Sequence, residues 1–173
     1  KFDNVLNDQR QVIFSQRNKV LNDNEVNSYS DSFLNEVTNN LKNLKAKYLQ
    51  KPNSTDFSNQ LKSIVGKSFN EEEVLKIINS KDNDFVELIN QKFEEKRKER
   101  VKILELNQAR EIEKRIFLQL IDQNWKLHIQ YLEQLRQVIG LRSYGQRDPL
   151  IEYKKEAFTL FENLLNKLKT DLV

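Results

Sequence analysis

An all-α fold is predicted, and three observations carry it. Glycine and proline, the residues that punctuate turns and loops, number only 3 and 2 in 173 residues. Charged residues make up 32% and apolar ones 38% of the chain, a balance that suits helices with one solvated face and no thick multilayer core. Apolar residues recur at steps of three and four along most of the length, the spacing of a helix face.

The first helix is expected over about Asp3 to Leu21. Phe2, Val5, Leu6, Gln9, Val12, Ile13, Gln16 and Val20 fall on one face, and two of these are Gln, so the helix is expected to meet a polar surface. Asn22 to Ser28 is turn chemistry, because short polar side chains compete for the backbone. A second helix is expected from about Ser28 or Ser30 to Leu49, with Phe33, Val37, Leu41, Leu44 and Tyr48 as its stripe. Pro52 disfavours helical angles at Lys51 and ends it.

A weakly patterned, Asn-rich region follows. Ser54 to Val65 is expected to be helical on Phe57, Leu61 and Ile64, with Gly66 as its stop. Asn70 is a good cap for a short helix over Glu71 to Asn79, whose first turn is acidic, and Ser80 to Asp84 breaks the pattern. Sixteen of the 20 Asn precede residue 91, and the main compositional boundary is placed there.

From about Asp84 the helical signal runs nearly unbroken to Ile139, some fifty residues or roughly 80 Å of helix. The mixed-charge run around Glu94 to Arg100 reads as a solvated face with weak pairs. Beyond Arg115, a seam of Phe117, Ile121, Trp125, His128, Leu132, Leu135 and Ile139 has the steps of a packed helix. Leu150 to Leu172 carries a matching seam of Tyr153, Ala157, Leu160 with Phe161, Leu164 and Leu168. A tight connection between two such segments makes an antiparallel hairpin, with its tip at residues 140–149. Asp148 followed by Pro149 is a helix-start signal.

No catalytic, cofactor or metal site is expected in this chain. There is no Gly-rich phosphate loop. Cysteine is absent and His128 is the only histidine, too few ligands for a transition-metal centre. On its seam His128 reads as a hydrogen-bonded packing residue, and Trp125 as core. A net charge of +3 does not indicate nucleic acid as a partner. No apolar run is long enough to span a membrane. The absence of Met and the start at Lys1 lead us to expect a piece of a longer protein. The hairpin tip is the exception to this lack of chemistry. From Gln134 to Arg147 there is no acid, and Arg142, Tyr144 and Arg147 cluster there with Gln146. Two uses are open to the arginines: contact with a partner, or capping of helix-end carbonyls and pairing with Glu133, Asp148 or Glu152.

Three runs then bring a family into view. Asp122-Gln123-Asn124-Trp125-Lys126-Leu127-His128, Leu135-Arg136-Gln137-Val138-Ile139-Gly140-Leu141-Arg142-Ser143-Tyr144-Gly145-Gln146-Arg147-Asp148-Pro149 and Glu152-Tyr153-Lys154-Lys155-Glu156-Ala157-Phe158 closely resemble SecA, the bacterial preprotein translocase motor. Phe2 to Arg10, with Ile13 to Arg17, is similar to the start of SecA's long scaffold helix. Leu127 departs from the family pattern, which has an acid there. Val138 and Ser143 replace common glycines, and Gly140 and Gly145 stand where other residues are usual, which could restore the turn.

The resemblance implies a helical scaffold over residues 1–49, a variable helical wing over 50–92, and scaffold continuing into a two-helix finger over 93–173. In such proteins ATP hydrolysis drives unfolded preproteins through the SecY channel. The ATP- and Mg-binding motor domains would lie outside this chain, so no cofactor and no enzymatic activity are expected within it. The tip Tyr that touches the moving polypeptide maps onto Tyr144. Arg142 and Arg147 would face acidic channel loops or anionic lipid head groups, worth about 1 kcal/mol per basic residue near a membrane surface. The location implied is the cytoplasm and the cytoplasmic face of the plasma membrane. The residues taken without the resemblance would equally suit a stand-alone helical adaptor or coiled-coil module.

Overall fold

The computed structural model describes residues 2–22, 26–50, 56–66, 69–142 and 148–172. Among the described residues there are seven helices and no strand: α1 (Phe2–Asn22), α2 (Val26–Gln50), α3 (Asp56–Val65), α4 (Glu71–Asn79), α5 (Asp82–Leu104), α6 (Leu106–Arg142) and α7 (Pro149–Leu172). The fold is all-α.

Local chemistry places several of the ends. Asn70 caps α4: its side-chain oxygen accepts from the Glu73 N–H at 2.8 Å, and the Glu73 carboxylate accepts from the Asn70 N–H at 2.9 Å. Gly66 sits at φ +49° just beyond α3, a left-handed angle that glycine adopts at no steric cost. Asp148 caps α7, accepting the Leu150 N–H on Oδ1 at 2.8 Å, with Pro149 at the first helical position.

The helical run expected to be nearly unbroken from Asp84 to Ile139 has one break, between α5 and α6. Glu105 lies at φ 60° and ψ 156° between α5 and α6. No Gly, Pro or turn residue marks the site, so periodicity could not find it. That backbone region is essentially reserved for glycine and strains other residues by roughly 1–3 kcal/mol. The looser unfolded chain that glycine creates offsets only roughly 0.5–1 kcal/mol. Glu105→Gly is therefore expected to raise the melting temperature, and a lowered one would remove the strain.

The chain forms two compact units, one of Lys1–Val26 with Glu113–Leu172 and one of Asn27–Ile112. In the second unit, Leu34, Val37 and Leu41 of α2 share one core with Phe57, Leu61, Val74, Ile77, Phe85 and Ile89 of α3, α4 and α5.

Within this second unit one lysine is a core residue. Lys45 is 1% exposed. Its ammonium donates to the backbone carbonyls of Ile77 and Ser80 at the end of α4 and lies 5.0 Å over the Phe85 ring. The charged run of α5 is partly a tether. Lys96 and Glu99 form an exposed pair, as expected. Arg97 pairs with Glu94 in its own helix at 3.1 Å and also reaches α2, with Nη1 at 3.0 Å from Asp31 and Nη2 donating to the Ser30 hydroxyl.

Candidate functional site

The seam of α6 and the seam of α7 meet a third helix, α1. Trp125, His128, Leu132 and Ile139 of α6 are buried, as are Tyr153, Ala157, Phe161, Leu164 and Leu168 of α7. Leu135 is half-buried, and so is Leu160, whose inner place Phe161 takes. From α1 come Gln9, Ile13 and Val20, while Val12, expected on this face, is 43% exposed. Phe2, Val5 and Leu6 pack against the cluster of Leu132, Ile139, Tyr153 and Ala157.

Side-chain pairs set the directions of the three helices. Asp3 meets Arg136 at 3.5 Å, Gln9 meets His128 at 2.7 Å and Arg17 meets Asp122 at 3.0 Å. Rising numbers on α1 meet falling numbers on α6, so the two are antiparallel. Asn124 with Lys167 and His128 with Phe161 make α6 and α7 antiparallel as well. Phe2 stands edge-on to Tyr153 with centroids 4.8 Å apart, and the Arg136 guanidinium lies over the Phe2 ring. Burial holds the Tyr153 phenol above its usual pKa.

At the centre is a polar knot. The Gln9 amide donates through Nε2 to the Ala157 carbonyl at 3.1 Å, and its Oε1 is 2.7 Å from His128 Nε2. A carbonyl only accepts, so Ala157 fixes which way the Gln9 amide faces. His128 must then donate from Nε2, which assigns its neutral tautomer. Trp125 and Phe161 each have a ring centroid 5.6 Å from that of His128.

Burial pushes the His128 pKa from 6.5 to about 4. The neutral form is favoured in the fold, so between these values the unfolded chain binds more protons, and stability falls as pH drops from 6.5 towards 4. The full swing is about 3 kcal/mol. It is best read between pH 6.5 and 5, above most carboxylate titration. Urea midpoints measured there should fall in the native chain and stay nearly level in His128→Leu; equal slopes would refute the shift.

Helix α6 runs to Arg142, so Gly140, expected to help form the turn, is helical. An added Cβ there would meet nothing within 4 Å. The Asp148 carbonyl accepts the N–H groups of Ile151 and Glu152 at 3.1 and 3.2 Å. Tyr144, Gln146 and Arg147 lie outside the described residues, as does the Arg142 side chain. Leu127, an acid in the SecA pattern, is 47% exposed, so either residue suits the bundle.

Among the described residues no group of three or more His, Cys, Asp or Glu could hold a metal ion. No helix among them is long and apolar enough to cross a membrane. The contacts missed from sequence are those of Gln9 with two helices at once and of Arg136 with Asp3 and Phe2. The only signal was Gln at core-face positions of the first helix.

Residues 1–173 match the family model described as the SecA Wing and Scaffold domain. The protein translocase subunit SecA of Pelagibacter ubique is 62% identical over 173 residues, covering 100% of this chain and 20% of that protein. The protein translocase subunit SecA of Caulobacter vibrioides is 37% identical over 174 residues, covering 99% and 19%. That of Campylobacter jejuni is 33% identical over 189 residues, covering 100% and 20%. The chain thus spans about a fifth of the length of the curated relatives it matches.

Proposed function

The chain belongs to the SecA wing and scaffold family, and from that premise we propose that it is the scaffold, wing and two-helix finger of a translocase motor that moves preproteins through the SecY channel. The observation that carries the reading is the bundle of α1, α6 and α7. Its hairpin meets a third helix at levels from Asp122 to Arg136, and its second helix is capped at Asp148, directly after the short segment that holds Tyr144.

In this reading α6 and α7 are the finger, α1 is the scaffold strut that joins it to ATPase domains outside this chain, and the wing lies within Asn27–Ile112. The hydrolysis of ATP with Mg takes place in those other domains. A packed bundle transmits displacement, because its interior has little room to yield. Tyr144 supplies a ring for the unfolded preprotein, giving apolar area at little rotamer cost and with little sequence preference. Arg142 and Arg147, with Gln146, face the acidic loops of the channel or anionic lipid at the cytoplasmic face of the plasma membrane.

The test is Tyr144→Ala in a full-length subunit. Translocation of a preprotein into membrane vesicles should slow by about tenfold or more, the loss typical of an aromatic anchor, while the melting temperature of the 173-residue chain holds. Undiminished translocation would end the contact role.

A further inference from the structure

We propose that the buried Gln9–His128 pair is a register lock that fixes how far along the hairpin α1 sits. Apolar seams alone do not determine this. Their residues repeat every three or four positions, and α1 displaced by one turn sets Val5 at the level of Gln9 and Gln9 itself at the level of the buried Ile13, so it is the polar residue that marks the register. Polar contacts at the rim are too weak to choose: Asp3 and Arg136 are 80% and 50% exposed, and Asp122 and Arg17 are 56% and 35% exposed.

The knot discriminates where the seams do not. Among the described residues of this unit the buried polar side chains are Gln9, Asn124 and His128. Asn124 bonds to Leu120 of its own helix and to Lys167 of α7, whereas Gln9 joins α1 to both α6 and α7. Displacement of α1 by one turn brings Val5 or Ile13 to the level of His128, and neither can accept its N–H. It also takes the Gln9 amide away from the Ala157 carbonyl. A lone polar residue at a seam position sets register by this same penalty.

The mechanical meaning of the lock rests on reading α1 as the strut. A strut that slips absorbs a push, whereas a locked one passes it on. The lock itself is tested without any channel or nucleotide, so its failure is distinct from failure of the translocation reading, which Tyr144→Ala examines.

The chain has no cysteine, so paired spin labels on Lys19→Cys and Gln134→Cys report one defined distance. Both sites are exposed. Double electron–electron resonance on the 173-residue chain should give one narrow population. In Gln9→Leu/His128→Leu, which replaces the pair by apolar groups of similar size, the melting temperature should hold or rise. A second population should appear, displaced by about 5 Å, one helical turn. A stable fold with altered register is an outcome a merely structural pair would not produce. A folded double variant with the single native distance overturns the lock. If the double variant loses its helicity, Gln9→Met carries the measurement, and an unchanged narrow distance there likewise overturns it.

Discussion

Trp125→Ala should destabilise the α1–α6–α7 unit by about 3–5 kcal/mol, the range for removing a buried large aromatic. Trp125 is 8% exposed and stacks beside His128 at the centre of the bundle. Its loss opens a cavity that the helices can close only by leaving their seams, and it uncovers the imidazole on one side. Leu132→Ala, at 3% exposure, should lose about 2–5 kcal/mol by the same mechanism. The measurement is urea unfolding followed by circular dichroism. Phe158→Ala is the control, because Phe158 is 60% exposed and should shift stability by no more than about 0.5 kcal/mol. If Trp125→Ala and Phe158→Ala unfolded at the same midpoint, the seam would have no energetic content.

Lys45→Ala should be the most damaging substitution of a charged residue in the chain, at about 3 kcal/mol or more. Two losses combine. The ammonium leaves the carbonyls of Ile77 and Ser80, and hydrogen bonds to a charged group are worth about 1.5–3 kcal/mol. The aliphatic stem leaves a space beside Phe85, which is 0% exposed, and a large-to-small change there adds a cavity term. Lys47→Ala, on the exposed face of the same helix, should be close to neutral. Hydrogen exchange can localise the effect: protection should fall in α4 and α5 of the Asn27–Ile112 unit. Equal melting of the two variants would show that Lys45 is an ordinary surface lysine.

Both expectations bear on what could be read from the residues. Trp125 and Leu132 were legible because a seam is a local, periodic signal: steps of three and four put them on one face whatever the partner. The start of α7 was legible for a similar reason, since Asp148 and Pro149 act within their own first turn. Lys45 was not. It lies between Leu44 and Tyr48, two residues before the solvated Lys47, and only the arrival of the α4 carbonyls makes a buried ammonium stable. The break at Glu105 was invisible as well, because it lacks any residue that prefers that backbone angle. Arg97 read as one charge in a solvated run, yet its contacts to Ser30 and Asp31 come from residues 66 and 67 positions away.

The tip divides in the same way. Its composition, with Tyr144 between Arg142 and Arg147 and no acid from Gln134 to Arg147, is a property of the sequence alone, and so is the resemblance to SecA. The packing of the two helices that lead to and from it is a property of the fold. Local patterning by itself determined the all-α class, the caps and the apolar faces of the hairpin, because each depends on residues within a turn or two of one another. Only the tertiary structure decided that α1 is the hairpin's third helix, that Gln9 and His128 meet across 119 positions, and that α2 shares a core with α3, α4 and α5. Those are choices among surfaces that sequence periodicity leaves equivalent, and the pairing of buried polar groups breaks the equivalence.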